Sequence, residues 1–179
     1  MSSPEALDAA VLRDLQVDVR KWIAWYAGPR DDLDDLVQEA LIELVVALDR
    51  FRGDSSVRTY AHRIVLRTTA RQLERRRALR RRLELVADVE REDPRDPERA
   101  LGDRQTLARF YEVLQKLSVK RRDAFVLCAI ERLAHEEAAA IEGVSLETLR
   151  ARLKHARADL EAMLEHDPLL APYVRGGAR

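Results

Sequence analysis

The 179-residue chain holds one cysteine, six glycines and six prolines, and only 5% of it is aromatic. A single thiol excludes an internal disulfide framework and a cysteine-built zinc site. Cys128 lies in the apolar run Ala124–Ile130 and reads as a buried structural thiol. Scarce glycine and proline leave few breaks and favour an all-helical chain. Few aromatics among 36% charged residues argue against one large core, and the length suits one domain or two small ones. No apolar run approaches membrane-spanning length, and the start Met1-Ser2-Ser3-Pro4-Glu5 has neither a basic nor an apolar leader region. The expected setting is cytoplasmic, with no membrane insertion. Catalytic patterns are missing as well. His62, His135, His155 and His166 are scattered without the His-Glu-x-x-His spacing, and no Gly-rich phosphate loop or Gly-x-Ser-x-Gly elbow occurs. The expectation is no catalytic residue, no metal and no cofactor.

Net charge is zero, but the charge is segregated. Residues 1–49 carry net −7, residues 50–82 net +10, residues 83–103 net −5 and residues 104–179 net +2. Clustered charge governs association more than the total does. The layout implies separate partners, one met by an acidic face and another by a basic one.

Apolar periodicity places the helices. Residues 5–27 form one, ended by Gly28-Pro29. Leu33, Leu36, Val37, Ala40, Leu41, Leu44, Val45 and Leu48 form a helical stripe behind the acidic start Asp31–Asp35. The polar loop Arg52-Gly-Asp-Ser-Ser56 breaks it, and Val57, Tyr60, Ala61, Ile64, Val65 and Thr68 open the next helix, which runs into an arginine-rich end. The first domain is placed at 5–82. Asp93-Pro-Arg-Asp-Pro97 lies in an acidic stretch, 83–103, that reads as a flexible linker. The second domain, 104–166, holds helices near 107–117, 119–131 (capped by Ser118) and 134–141, then one opened by Ser145. The tail, 167–179, is expected to be partly disordered.

Four stretches carry chemistry. In Ser145-Leu-Glu-Thr-Leu-Arg-Ala-Arg-Leu-Lys-His-Ala-Arg157, Leu146, Leu149, Leu153 and Ala156 line one face and cations line the other. A short helix, the turn Glu142-Gly143-Val144 and this cationic helix outline a helix-turn-helix DNA reader. A solvated helix in an ordinary bundle is the plain alternative. In the loop Phe51–Ser56 and the helix start Val57–Arg63, small polar residues, Tyr60 and His62 can hold an unstacked base beside Arg58, Arg63, Arg67 and Arg71. The alternative is a helix-capping loop with Tyr60 and Ile64 in the core. Arg75–Arg82 holds six arginines in eight residues, either a grip on a nucleic-acid backbone or a solvated helix end. The acids of Asp31–Glu39 either stabilise a helix start or dock a basic partner.

Two blocks of residues resemble the extracytoplasmic-function sigma factors of bacterial RNA polymerase. Asp35-Leu-Val-Gln-Glu39, Ala47-Leu-Asp-Arg-Phe-Arg-Gly-Asp-Ser-Ser56, Arg58-Thr-Tyr60 and Arg63-Ile64 resemble the family's region 2. Leu117–Leu127, Glu136-Glu-Ala-Ala139, Gly143-Val-Ser145, Thr148 and Arg152–Arg157 resemble its region 4. The resemblance implies an all-α fold of two small helical domains joined by a flexible acidic linker. It implies core RNA polymerase, promoter DNA and an anti-sigma factor as partners. Asp35, Gln38, Glu39 and Ile42 would dock on the polymerase. Arg52, Gly53, Asp54, Ser55 and Ser56 would capture a flipped base of the −10 element, and Arg58, Tyr60, Arg63 and Arg67 would hold the opened strand. In the −35 major groove, Arg150, Lys154 and His155 would meet base edges or nearby backbone, and Ser145, Thr148 and Arg157 phosphates. Phosphate contacts would position and base contacts specify.

The chain also departs from the family pattern. Arg132 stands where glycine is usual, Ala134-His135 where Ser-Tyr is common, Ala138 for isoleucine, Glu142 for leucine, Tyr60 for tryptophan and Arg67 for asparagine. Ala138 and Glu142 are the best support for a second reading: a non-initiating sigma-like helical protein that binds or titrates a polymerase or anti-sigma partner.

Overall fold

The computed structural model describes residues 9–86 and 99–176, and the described residues are helices joined by short loops. The first unit has three helices. α1 (Ala9–Ala27) stops at Gly28, whose N–H closes the last turn on the Ala24 carbonyl at φ +75°. That left-handed conformation suits a residue without Cβ. α2 (Leu33–Leu48) buries Leu36, Val37, Ala40, Leu44 and Leu48. α3 (Val57–Val86) starts where the Ser56 hydroxyl accepts a hydrogen bond from the Thr59 N–H at 3.0 Å. Leu15, Val19, Ile23 and Tyr26 of α1 and Ala61, Val65, Leu66, Ala70 and Leu73 of α3 complete its core.

The second unit begins with α4 (Arg99–Leu114) and α5 (Val119–Phe125). Ser118 has N-cap geometry, but its side chain makes no capping bond, unlike the expected cap. The single helix expected over 119–131 changes pitch. Residues 126–130 form a π turn, closed by the Glu131 N–H on the Val126 carbonyl at 2.9 Å. α6 (His135–Glu142) and α7 (Leu146–Glu165) follow, the latter burying Leu149, Leu153, Ala156 and Leu160. Cys128 is half-buried, and burial raises its thiol pKa.

Residues 167–176 of the tail are folded, and 177–179 lie outside the described residues. Asp167, 6% exposed, accepts a hydrogen bond from Arg109 Nε at 2.7 Å and another from the Leu169 N–H. Leu170 is buried, and α8 (Ala171–Gly176) packs on α7. A buried, paired carboxylate and one anchoring leucine tie this stretch to the second unit. At the other junction α3 is helical to Val86 and α4 from Arg99, so both ends of the acidic stretch 83–103 are helical; the rest of that expected linker lies outside the described residues. No helix among the described residues is long and apolar enough to cross a membrane.

The two units touch. α3 packs against α6, and α1 against the π turn.

Candidate nucleic-acid interface

α7 divides cleanly into an inner and an outer face. The Ser145 hydroxyl caps it, accepting from the Thr148 N–H at 3.2 Å. With the leucine stripe inside, Ser145, Thr148, Arg150, Lys154, His155 and Arg157 all lie on the exposed side. Arg150, Lys154 and Arg157 are held in no ion pair among the described residues, so their charge faces solvent. Arg152 is different. It turns inward to the nearly buried Glu142 carboxylate. Burial pushes the Glu142 carboxyl up to about 7, against the opposing pull of Arg152. Glu142 is therefore met by a partner in the second turn of α7, which ties the two helices of the helix-turn-helix together. Ala138 is fully buried, a small residue in the α6 core face.

Ser118, Lys120 and Arg121 at the start of α5 line a shallow groove with Thr148, Ala151 and His155. Ser118 and Lys120 are exposed there. These residues were missed in the sequence because their neighbourhood to α7 is a long-range contact, invisible to periodicity.

The loop before α3 exposes Arg52, Gly53 and Asp54 to solvent. Gly53 has φ +80°, with no atom within 4 Å of the place a Cβ would occupy, so the turn and not crowding calls for glycine. Ser55 is half-buried, and Ser56 is exposed while serving as the α3 cap. Tyr60 is half-buried. Its hydroxyl donates to the Ala47 carbonyl at 3.0 Å and its ring meets Phe51 at 5.0 Å, which fixes the loop against the helix. Arg58 is bound to Asp18 at 2.8 Å, and its side chain is 64% exposed. Arg67 is exposed and carries no ion pair among the described residues. His62 is not available to stack on a base. It is buried, stacked on Trp22 with ring centroids 4.1 Å apart, and its Nε2 stands 3.4 Å from the buried Glu131 carboxylate.

Arg63 is placed unexpectedly. Its Nε donates to the Ile141 carbonyl at 2.8 Å and its terminal nitrogen to the Ala140 carbonyl at 2.5 Å. A guanidinium thereby caps the C-terminal end of α6, where unpaired carbonyls and the helix dipole favour a cation.

On α2, Asp35, Gln38, Glu39 and Ile42 are all exposed. Glu39 is bonded to Arg76 at 3.1 Å, and Arg76 also holds Asp32, which Arg30 grips as well. These arginines hold the Asp32 carboxyl at about 2, the hydrogen bond from Arg30 being the largest influence. Val45, expected in the core stripe, is 61% exposed; with Ile42 (65%) and Val46 (51%) it forms an apolar strip on the outer face. Val46 could have been found in the sequence, as an apolar residue off the buried stripe.

Against known proteins, the chain matches the family Sigma-70 region 2 over residues 11–79 and the family Sigma-70, region 4 over residues 107–160. It is 36% identical over 148 residues to the RNA polymerase sigma factor CnrH of Cupriavidus metallidurans, covering 78% of this chain and 76% of that protein. It is 31% identical over 159 residues to the ECF RNA polymerase sigma factor SigG of Mycobacterium tuberculosis, covering 76% of this chain and 43% of that one. The solved structure of CnrH in complex with the cytosolic domain of CnrY superposes with a TM-score of 0.59 at 30% identity, over 88% of this chain and 87% of that one. The two matched regions, their order and the helices that carry them identify the family: the chain belongs to the extracytoplasmic-function sigma factors of bacterial RNA polymerase.

Proposed function

We propose a residue-level division of labour for promoter-directed initiation by this sigma factor. The helix-turn-helix unit, 104–166, sets α7 in the −35 major groove. Arg150, Lys154 and His155 meet base edges, and Ser145, Thr148 and Arg157 meet phosphates. The first unit, 5–82, takes the −10 element. Arg52 to Ser56 receive an unstacked base, and Arg58, Tyr60, Arg63 and Arg67 hold the strand. Opening is thermodynamic: contacts to the unpaired strand offset lost stacking, and no chemistry is required of the chain. Residues 83–103 link the two readers. The observation that carries this reading is α7 itself, with Arg150, Lys154, His155 and Arg157 outward and Leu149, Leu153, Ala156 and Leu160 inward.

Two further surfaces support the assignment. Arg67, Arg71, Arg75 and Arg82, at spacings of four, four and seven, fall in one arc of α3 and stretch the cationic track over about 22 Å. All four are exposed; Arg71 makes only a loose pair with Glu43 at 3.3 Å, and Glu74 flanks the stripe. They fit successive phosphates better than a base pocket. On α2, the strip Ile42–Val45–Val46 rimmed by Asp35, Gln38 and Glu39 fits an apolar, basic-edged surface on core polymerase. An anti-sigma factor is a further partner, in keeping with the CnrH–CnrY complex, and the cytoplasm is the setting in which polymerase is met.

The non-initiating alternative drew on Ala138 and Glu142. One is absorbed in the core and the other is paired with Arg152, so neither favours it. The test is core binding by fluorescence anisotropy. Ile42→Glu, on the exposed strip, is expected to weaken it about tenfold or more, since a charge now faces a desolvated apolar contact. Unchanged binding would remove α2 from the docking face.

A further inference from the structure

The start of α3 carries a cation where a helix gains nothing from one. Arg58 is the second residue of α3, in the first turn, where the helix dipole disfavours positive charge. Its place is set from α1 instead. Arg58 Nε donates to Asp18 Oδ2 at 2.8 Å, and a terminal nitrogen donates to Oδ1 at 3.2 Å, a two-pronged grip on one edge of the guanidinium. The same guanidinium stands over the Trp22 ring, 5.7 Å from its centre. Trp22 is buried and is itself fixed by the His62 ring, which lies within 5° of parallel to it at 4.1 Å. Asp18 is half-buried, yet the Arg58 side chain stays mostly exposed. A flat group is thus gripped by one edge and backed by a ring, with its remaining surface in solvent.

This setting suits a base better than a phosphate. The Asp18 carboxylate cancels the charge that would draw a phosphate, and at close range it would repel one. Cations better suited to phosphates lie further along α3. Arg67 makes no ion pair among the described residues, and Arg71 makes only a loose one. What the pair with Asp18 leaves intact is the guanidinium plane, and unpaired bases stack on such planes. A side chain held before the strand arrives also loses less rotamer freedom on contact. Arg58 lies two residues beyond Ser56, at most about 7 Å of chain, so the loop 52–56 and this plane share one stretch of surface.

We propose that Arg58 is a stacking platform for one unpaired base of the opened strand, with Asp18 and Trp22 as its positioning residues. The proposal rests on the −10 reading above and deepens it: Arg58 meets a base by its plane, not a phosphate by its charge. Through Asp18 and Trp22, α1 then acts on the opened strand without touching it.

The experiment uses holoenzyme, core polymerase with the full chain, on a promoter fragment recovered from mapped transcript starts. Single abasic sites are placed at each −10 position of the unpaired strand in turn, and the lifetime of the open complex against competitor DNA is measured. With the unaltered chain, loss of the base at one position is expected to shorten the lifetime about tenfold. With Arg58→Ala the lifetime is already short, and the abasic site at that position shortens it no further. Arg58→Lys keeps the charge and loses the plane, and is expected to behave as Arg58→Ala does. Asp18→Asn is expected to shorten the lifetime on intact promoter about threefold by loosening the grip, and to have no effect in the Arg58→Ala background. Helicity by circular dichroism confirms that each variant folds. The proposal is overturned by Arg58→Lys opening the promoter as the unaltered chain does, or by additive costs of Arg58→Ala and the abasic site at every position. It is equally overturned by Asp18→Asn leaving the lifetime unchanged or lengthening it. A holoenzyme with the unaltered chain that is indifferent to every abasic site would instead overturn the −10 reading.

Discussion

Tyr26 and Arg122, ninety-six residues apart, meet through a 2.8 Å hydrogen bond from the guanidinium to the phenol oxygen, and Asp123 takes the phenol proton's bond on the other side. The Tyr26 hydroxyl is thus held between a cation and a carboxylate, and burial raises its pKa well above the usual tyrosine value. Arg122 has a further bond to the Gln115 carbonyl at 3.4 Å. Removing a buried charge from such a network strands its partners. Arg122→Ala is expected to cost about 3–5 kcal/mol, seen as a lower urea midpoint at unchanged slope. A loss below about 1 kcal/mol would show that the network is not a stabilising one.

The same region gives the chain a pH dependence. Burial pushes the Asp123 carboxyl from 3.8 up to about 6, against the Tyr26 hydrogen bond and the charges of Arg122 and Arg152 and with that of Glu74. Glu142 rises from 4.5 to about 7, for the same first cause. A carboxyl raised in the folded state contributes stability that is fully present below its unfolded pKa and is lost as pH rises through the folded value. Both groups therefore make the protein less stable as pH rises from about 4 to about 7, Asp123 over the lower part of that window and Glu142 over the upper. Asp32 works the opposite way, but only below about pH 4. Urea midpoints are expected to fall from pH 4.5 to pH 7, and Asp123→Asn with Glu142→Gln to flatten the curve. A midpoint that rises over this range contradicts the assignment.

Two departures from the family pattern have a structural cost. Arg132 is the only non-glycine with positive φ among the described residues, at +59°, in the left-handed region that favours glycine. Ala134 is the N-cap of α6 and offers no side-chain bond, where serine is common. Arg132→Gly is expected to stabilise by about 1 kcal/mol by relieving left-handed strain. Ala134→Ser is expected to add about 1 kcal/mol through a cap on α6. The two sites sit on one short loop, so a double variant with less than the summed gain in thermal midpoint would reveal coupling.

The arginine stripe on α3 has a salt signature. If Arg71, Arg75 and Arg82 each neutralise a phosphate, their replacement by alanine lowers the slope of log affinity against log salt by about 0.9 apiece. The holoenzyme on promoter fragments, titrated from low to physiological salt, measures it. An unchanged slope with weaker core binding would move the stripe from DNA to polymerase.

Much of this molecule was legible in the amino-acid order. Leu149, Leu153, Ala156 and Leu160 repeat at helical spacing and do line the inner face of α7, with the cations opposite. Ser145 and Ser56 cap their helices because a short hydroxyl ahead of an apolar repeat is a local signal. What escaped is long-range. Nothing in the run around Arg63 announces that its guanidinium ends on carbonyls of α6, and nothing around Asp167 announces Arg109. Val45 fits the helical repeat of α2 yet faces solvent, because periodicity gives a stripe but not its width. His62, chosen as a possible base-stacking ring, stacks on Trp22 of α1 instead.

On this reading the chain directs core polymerase to promoters through the outward face of α7 and the Arg52–Arg67 segment. The direct measurement maps transcript starts made by core polymerase on fragmented genomic DNA of the source bacterium, with and without the purified chain. New starts that share one −35 and one −10 motif are expected. Arg150→Ala with Lys154→Ala is expected to lower them about 100-fold, each lost base contact being worth about 1–3 kcal/mol. Starts that do not depend on the chain, or that survive the double replacement undiminished, would contradict it.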